Sequence, residues 1–272
     1  MGMGKPLVVY HAGCQDGFTA AWAAWEVLGE TADYLPASYG GAPPEVVGRE
    51  VFLVDFSYKL AAVEKLLESN PVTVLDHHRT AWEELGDLSR DGFRFVFDNE
   101  RSGAALAWEF FHPGKKVPAL VRYVQDRDLW RWQEPCSREV NAWLGTQRHD
   151  FANWNRVARE LDHYPNWLAV IPEGMAVLRY QGQIMDAHVR QAVEVTIAGH
   201  MVLACNATTM MSEVAGKLAE GRPFGATWRD RPNGLRSWSL RSTPEGVDVA
   251  AVARSLGGGG HRHAAGFEEK LA

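Results

Sequence analysis

The sequence contains few cysteines and no long apolar segment. Its three cysteines, Cys14, Cys136 and Cys205, are widely spaced and odd in number, so they do not form a disulfide framework. This cysteine usage is typical of a reducing cytoplasm. No run of about 18 apolar residues offers a membrane span, and the N-terminal "MGMGKPLVVYHAG" lacks the apolar core of a signal peptide. We therefore expect a cytoplasmic protein without a membrane partner.

An excess of positive charge is also absent. The formal net charge is -6 at pH 7, which argues against broad binding to duplex nucleic acid, because such binding relies on a basic surface. A short anionic substrate held by metal ions and a few arginines remains compatible with this charge. The 272 residues are enough for one large domain or two modest ones with a substantial core.

Short apolar runs alternate with helical stretches over the first hundred residues. The apolar runs at 6–10, 51–56, 71–76 and 93–98 predict strands, and the segments 16–29, 59–69 and 102–111 predict helices. This alternation indicates a parallel α/β sheet. In such sheets, ligands bind beyond the carboxyl ends of the strands.

The rest of the chain divides into a helical part and a smaller α/β part. Residues 118–190 have a helical pattern, with a long segment at 174–192 that can bridge two domains. Beyond it, strands are predicted at 193–199, 200–206, 224–230 and 235–242, and helices at 212–221 and 247–257. We therefore predict an α/β protein with one domain at 1–192 and a second, smaller one at 193–272.

Aspartate and histidine residues collect at the ends of the predicted N-terminal strands. His11 follows the first strand, Asp55 ends the second, "DHH" at 76–78 follows the third, and Asp98 ends the fourth. Such residues, without a Ser/His/Asp arrangement, are ligands for divalent cations such as Mn²⁺, Mg²⁺ or Zn²⁺. Two cations about 3.5–4 Å apart activate water and stabilise a phosphate ester. A ligand shared by two cations must be a carboxylate, and Asp55 is the best candidate.

Structural roles compete with this interpretation at single positions. His11 taken alone fits a hydrogen-bonded core histidine, and Asp16 fits the N-cap of its own helix. Asp98 fits a turn, and we leave it out of the site. The group formed by Asp55 and the "DHH" residues is harder to explain structurally, because clustered charges are rarely buried unpaired.

Five motifs occur together in a fixed order along nearly the whole chain. They are "HAGCQDG" (11–17), "LVDFS" (53–57), "LDHH" (75–78), "VQDRDLW" (124–130) and "GGGGHRHAAGF" (257–267). This combination resembles the DHH phosphoesterase superfamily, and the last motif is similar to that of the type-1 DHH-associated C-terminal domain. The resemblance implies a DHH catalytic domain with a helical linker at 1–192 and a substrate-binding domain at 193–272, which face each other across a cleft.

The resemblance also implies a role for each matching residue. His11 would ligate a first metal ion and Asp16 a second, with Asp55 between the two. His77 and Asp126 would complete the second set, although Asp128 competes with Asp126 for this role. Asp76 would orient the histidines, as such ligands commonly require, and His78 would face the substrate phosphate. On this hypothesis Asp55, Asp76 and His78 are the catalytic residues.

Cys14 departs from the pattern that the resemblance implies. Family members usually carry an aspartate at this place, two residues before the final aspartate of the first motif, and it helps to hold the first metal ion. A thiolate is softer than a carboxylate, so Cys14 as a ligand would favour Zn²⁺ or Fe²⁺, or weaken the site for Mn²⁺. Cys14 as a bystander is the alternative.

The glycine-rich motif is neither a Walker A loop nor a dinucleotide fingerprint. Its glycines let backbone amides approach an anion closely. By resemblance, Gly258, Gly259, Gly260 and His261 would bind the substrate phosphate or the terminal nucleotide. Arg241 is a plausible partner, since a guanidinium group binds phosphate in a bidentate manner. Trp130 and Trp132 either stack a base or belong to the core.

The predicted function is a metal-dependent phosphodiesterase that converts short oligonucleotides or linear dinucleotides to mononucleotides. Its cofactors would be two divalent metal ions, with Mn²⁺ preferred over Zn²⁺, Fe²⁺, Co²⁺ and Mg²⁺. The partner would be a short single-stranded oligonucleotide or dinucleotide and not duplex nucleic acid. The sequence does not determine whether the protein forms an oligomer. Two alternatives are a phosphomonoesterase or phosphoanhydride hydrolase, acting for example on a 3′-phosphoadenosine nucleotide or polyphosphate, and a catalytically silent nucleotide-binding protein.

Overall fold

The computed structural model describes residues 4–163 and 166–271 of the chain. Contacts within the chain divide it into two units, Met1–Val177 and Leu178–Ala272. The division falls inside the longest helix, which runs over Asn166–Val189. No helix within the described ranges combines the length and apolar character that a membrane span needs.

The first unit is built on a parallel sheet of five strands. Its elements are β1 (Gly4–His11), α1 (Gln15–Leu28), β2 (Asp33–Ala37), β3 (Arg49–Val54), α2 (Leu60–Leu67), β4 (Val72–Asp76), α3 (Arg79–Leu85), β5 (Phe93–Phe97), α4 (Gly103–Phe111), α5 (Ala119–Asp128), α6 (Ser137–Leu144), α7 (Phe151–Asp162) and α8 (Asn166–Val189). The strands lie in the order β2-β1-β3-β4-β5. All neighbouring pairs are parallel.

The central strands are apolar because both faces of this sheet are covered. Val8 and Leu75 pack on one face with residues of α1 and α4. Val9, Leu53 and Val74 pack on the other face with residues of α2. Burial on both faces explains the nearly continuous apolar runs in β1, β3 and β4.

The second unit is built on a mixed sheet of six strands. Its elements are β6 (Val193–Ile197), β7 (His200–Asn206), α9 (Met211–Leu218), β8 (Gly225–Asp230), β9 (Leu235–Arg241), α10 (Val249–Ser255), β10 (Gly259–His261) and β11 (Ala264–Lys270). The strand order is β10-β11-β9-β8-β7-β6. β7 and β8 pair in parallel, and the other neighbours are antiparallel.

The predicted fold class is confirmed, and three strands were not predicted. β2 is an edge strand that contains Pro36, and an edge is the place where a sheet tolerates proline. β10 and β11 form a hairpin out of the glycine-rich motif, which the sequence suggested to be a loop. The reason is local packing: a Cβ at Gly258 would stand 2.1 Å from the carbonyl oxygen of Gly266, so only glycine allows this approach.

Candidate metal centre

The predicted metal-binding side chains of the first unit, except Asp126, gather at the carboxyl ends of three strands. His11 is the last residue of β1, Asp55 follows β3, and His77 follows β4. The first turn of α1 brings Cys14 and Asp16 to the same edge of the sheet. Parallel strands place their carboxyl ends at one edge, which is why residues far apart in the sequence meet there.

Asp55 directs its two carboxylate oxygens at two different histidines. Oδ1 lies 3.1 Å from Nε2 of His77, and Oδ2 lies 3.4 Å from Nδ1 of His11. The side chain is 1% exposed, and its backbone has φ of 53°, a left-handed conformation that is rare outside glycine. Such strain persists where the surroundings enforce it, often at functional sites. The geometry is that of a carboxylate placed between two binding positions.

The potential ligands form two triplets, and Asp55 belongs to the first and contacts His77 of the second. His11, Cys14 and Asp55 form the first triplet, and the donor atoms lie within 4.8 Å of one another. The second triplet meets the same limit and consists of Asp16, His77 and Asp128. Below, these are called the first triplet and the second triplet.

Buried atoms without well-aligned hydrogen bonds show that the triplets fit divalent cations. Within the described part of the chain, Nδ1 of His11 and Oδ2 of Asp55 are buried and face each other across 3.4 Å, but neither forms a well-aligned hydrogen bond. Leaving such atoms unsatisfied is costly. The donors are imidazole nitrogen, carboxylate oxygen and thiol sulfur, which together suit borderline divalent metals. The residues present therefore fit a pair of metal ions.

Negative charge accumulates at this edge of the sheet. Burial, together with the charges of Asp55 and Asp128, raises the pKa of Asp16 well above its usual range. Burial likewise raises the pKa of the Cys14 thiol, and the neighbouring carboxylates raise it further. Burial raises the pKa of Asp55 as well, but the adjacent rings of His11 and His77 outweigh it and lower that pKa below its usual range. A cation at each triplet would relieve the repulsion between these groups.

His77 carries the positive charge that balances these carboxylates. Its Nε2 lies 3.8 Å from Oδ2 of Asp16 and 3.5 Å from Oδ2 of Asp128. Burial lowers the pKa of His77, but the hydrogen bond to Asp55 and the surrounding carboxylates outweigh it and raise that pKa to about 10. In the metal-free protein the imidazolium therefore neutralises part of the carboxylate charge that a bound cation would neutralise.

Asp76 holds the "DHH" segment from within the core. It is fully buried, and its Oδ1 accepts the backbone N–H of His77 at 2.7 Å and that of His78 at 3.0 Å. The same oxygen lies 2.7 Å from Nδ1 of His78. Asp76 thus lies outside both triplets and orients the His78 ring through Nδ1.

Asp16 is a helix cap as well as a member of the second triplet. Its Oδ2 accepts the N–H of Gly103 at 2.6 Å, and its Oδ1 accepts the N–H of Ala104 at 3.0 Å. It therefore caps α4, while its own helix α1 has Cys14 at the N-cap without a side-chain hydrogen bond. A carboxylate has about four lone-pair sites, so these two bonds leave acceptor capacity for a metal ion.

Known proteins resemble this chain in sequence and in fold. No family model matches the chain. The uncharacterized protein R106 of Acanthamoeba polyphaga mimivirus is 31% identical, over 96% of this chain and 66% of that protein. The oligoribonuclease NrnB of Bacillus subtilis (strain 168) is 22% identical, over 79% of this chain and 58% of NrnB. The chain thus spans less than two thirds of the length of these relatives.

A solved structure shares the fold of this chain. The DHH domain of PF0399, a member of a family of ribosomal proteins, superimposes with a TM-score of 0.59 at 12% identity. The match covers 98% of this chain and 83% of that one. The chain has the fold of that DHH domain. Its "LDHH" segment lies where the fold places it, at the carboxyl end of β4.

Within the first unit, Asp128 and not Asp126 lies with Asp16 and His77. Both oxygens of Asp126 are used in the loop that follows α5, because Oδ1 accepts the N–H of Gln133 at 2.8 Å and Oδ2 that of Glu134 at 3.1 Å. Residues two apart on a helix point to different sides, so α5 directs only Asp128 at His77. The geometry therefore favours Asp128 for the role that the sequence pattern assigned to Asp126.

The predicted phosphate-binding residues Arg241 and His261 lie on one face of the sheet in the second unit. His261 in β10 and Arg241 in β9 are both in register with Ala264 of β11, so their side chains lie on the same face of the sheet. Arg241 donates through Nη2 to Oγ of Ser212 at 2.6 Å. The N–H of Gly258 donates to the carbonyl oxygen of Ala253 at 2.8 Å. Gly259 and Gly260 belong to β10 and directly precede His261.

Two aromatic residues near the DHH motifs were missed or left open by the sequence. Tyr39 follows β2, is 52% exposed, and places its ring 5.1 Å from that of His11 and 6.0 Å from that of His78. Its position after a strand end was the available signal, but β2 itself was not predicted. Trp130 is 51% exposed, which excludes the core role for that residue.

Proposed function

We propose that the chain is a metal-dependent phosphodiesterase that hydrolyses short single-stranded oligonucleotides or linear dinucleotides to mononucleotides. The observation that carries this proposal is the position of Asp55, whose two oxygens face His11 of the first triplet and His77 of the second. The first triplet would hold one divalent cation, and the second triplet, with Asp55, would hold another. Bound there, two such cations supply Lewis acidity that activates a water molecule and stabilises charge on phosphate oxygens.

His78 is suited to contact the phosphate of the substrate. Burial lowers the pKa of His78, but the negative charge and the hydrogen bond of Asp76 outweigh this and raise that pKa. With Nδ1 directed at Asp76, the imidazolium would present Nε2–H as a donor to a phosphate oxygen. Asp76 acts through His78 and is therefore a positioning residue.

Three further observations support the choice of substrate class. The relative NrnB is named an oligoribonuclease, and the net charge of -6 disfavours long duplex substrates. In the second unit, Arg241 and His261 lie on one face, which suits contacts with a phosphate group or a terminal nucleotide. We propose residues 193–272 as the DHH-associated substrate-binding domain, Mn²⁺ as a cofactor, and the cytoplasm as the location.

The proposal is tested by offering three substrates to the purified protein with Mn²⁺. These are the dinucleotide pApA, 3′-phosphoadenosine 5′-phosphate and pyrophosphate, and the products are separated by chromatography. We expect conversion of pApA to AMP. Turnover of pyrophosphate alone would assign the chain to phosphoanhydride hydrolysis, and binding of pApA without hydrolysis would make it a nucleotide-binding protein.

Two matched aspartate variants locate the activity. Asp55→Asn should lose hydrolysis, because it removes a charge from between the triplets. Asp98→Asn serves as the control, since Asp98 also follows a strand of the same sheet but accepts the N–H of Glu100 in a turn at 2.9 Å. Equal loss in both variants would contradict the assignment of the site.

A further inference from the structure

The two triplets differ in the chemistry of their donors. The second triplet consists of two carboxylates and one imidazole. The first contributes one carboxylate, one imidazole and the sulfur of Cys14. Soft sulfur ligands select Zn²⁺, Co²⁺ or Fe²⁺, whereas carboxylate-rich sites suit Mn²⁺ and Mg²⁺.

The fold brings Cys14 to the first triplet by a specific close approach. Cys14 directly precedes α1, and the first turn of this helix packs against the end of β1. A Cβ at Gly17 would stand 2.4 Å from the carbonyl oxygen of His11 and 2.7 Å from its Cβ. Only a residue without a side chain allows the helix start to lie this close to His11. This close approach fixes the backbone of the helix start, and Cys14 directly precedes it.

The polar atoms around this sulfur satisfy one another only weakly. Oδ2 of Asp55 and Nδ1 of His11 are buried and face each other across 3.4 Å, and within the residues that the structure describes neither forms a well-aligned hydrogen bond. With Cys14 as a bystander, these two atoms keep only this long contact, whereas a cation bound by all three groups would satisfy them together.

We propose that the first triplet is a site for a thiophilic divalent cation, Zn²⁺, Co²⁺ or Fe²⁺, with the Cys14 thiolate as a ligand. Binding displaces the thiol proton into solvent, and the sulfur forms the bond to the metal ion. The second triplet, with Asp55, then takes a harder cation such as Mn²⁺ or Mg²⁺. This assignment rests on the proposed two-metal centre and gives its two positions different metal preferences.

Cobalt provides a readout that does not depend on hydrolysis. The parent protein for the experiment is Cys136→Ser, because Cys136 is exposed and would bind or react in the background, whereas Cys205 is buried. Titration with Co²⁺ should produce a thiolate-to-cobalt charge-transfer band in the near ultraviolet that saturates at one Co²⁺ per chain. Cys14→Ser in the same background should lose the band. Its persistence in that variant, or its absence when dialysis counts two bound Co²⁺, would overturn the proposal.

Two further measurements keep the test decisive if Cys14→Ser folds poorly. In the Cys136→Ser parent, Zn²⁺ should protect Cys14 from alkylation by iodoacetamide, and unchanged alkylation would contradict the proposal. Cys14→Asp should lower the affinity for Zn²⁺ relative to Mn²⁺ by at least about 10-fold, the lower end of the loss seen when a group that supports a metal site is removed. An unchanged ratio would show that the sulfur is not a ligand.

Hydrolysis of pApA on the same samples separates this inference from the proposed function. A cobalt–thiolate band without hydrolysis would support the proposed metal site and contradict the proposed phosphodiesterase activity. Hydrolysis with two bound metal ions but without the band would support the phosphodiesterase activity and show that Cys14 is not a ligand.

Discussion

Gly103 lies directly against Asp55. A Cβ built on Gly103 would stand 2.3 Å from the Cβ of Asp55 and 2.7 Å from its Oδ1. The N–H of the same glycine donates to Asp16 at 2.6 Å. The first residue of α4 therefore contacts both the central carboxylate and a member of the second triplet, and it does so because it has no side chain.

Replacing Gly103 with alanine should displace Asp55. We expect metal affinity to fall and the free energy of unfolding to decrease by about 1–3 kcal/mol, as is usual for an overpacked core. The control is Gly182→Ala in α8, where a Cβ would meet nothing within 4 Å; it should stabilise by about 0.5–1 kcal/mol. Calorimetric metal titration and urea denaturation of both variants make the comparison. Unaltered metal binding in Gly103→Ala would refute the tight fit.

Asp126 and Asp128 should respond oppositely to replacement by asparagine. Asp128→Asn should lower metal affinity by at least about 10-fold. The metal-free protein should remain about as stable, because the lost attraction to His77 is offset by the lost repulsion from Asp16. Asp126→Asn should bind metal normally but lose about 1–3 kcal/mol of stability, since an amide cannot accept both the Gln133 and the Glu134 N–H. The reverse pattern would restore Asp126 as the ligand.

Asp76→Asn should lower the pKa of His78. The carboxylate charge and hydrogen bond raise that pKa against the effect of burial, and asparagine removes the charge while keeping one acceptor oxygen. Titration of the His78 ring protons by NMR, with the His78→Gln variant to assign the signal, measures the change. We also expect hydrolysis to fall by about 10–100-fold, the usual cost of losing such a supporting partner. A constant pKa would show that Asp76 only holds the backbone.

The metal-free protein should lose stability as the pH rises from about 6.5 to about 10. In this window folded His77, with its pKa raised from 6.5 to about 10, retains a proton that the unfolded chain releases. The folded state then binds more protons, so the free energy of unfolding falls with rising pH. Urea denaturation with a chelator at pH 7 and pH 9 measures this. Saturating metal should flatten the dependence because the cation replaces the proton, and greater metal-free stability at pH 9 would contradict the prediction.

The sequence predicted those strands whose apolar runs reflect burial on both faces. β1, β3 and β4 were predicted for this reason, and the aromatic edge strand β5 was predicted from its apolar run. The sequence also predicted that His11, Asp55 and the "DHH" segment would meet. β2 was missed because its five residues include Asp33 and Pro36, and both residue types are depleted in strands. β10 and β11 were missed because glycine is depleted in strands, and the pairing of β11 with β9 overrides this local preference.

Details of the site that depend on orientation were beyond the sequence. Whether Asp126 or Asp128 faces His77 depends on the rotation of α5 about its axis, which the packing of the unit determines. The capping of α4 by Asp16 joins residues 87 positions apart, and no local pattern encodes it. The sequence therefore predicted which residues meet at the edge of the sheet. Tertiary contacts determine which of them belong to a triplet and which cap a helix or hold a loop.

The triplets draw their members from His11 to Asp128, and no single stretch of the first unit contains either set. Contacts between residues so distant in sequence form slowly, because loop closure must precede them. Until β3 has paired with β1 and β4, the side chains of the two triplets are far apart and cannot bind one cation together. Cation capture by the first unit is thus expected late in folding, and a bound metal ion marks a molecule whose central sheet is complete.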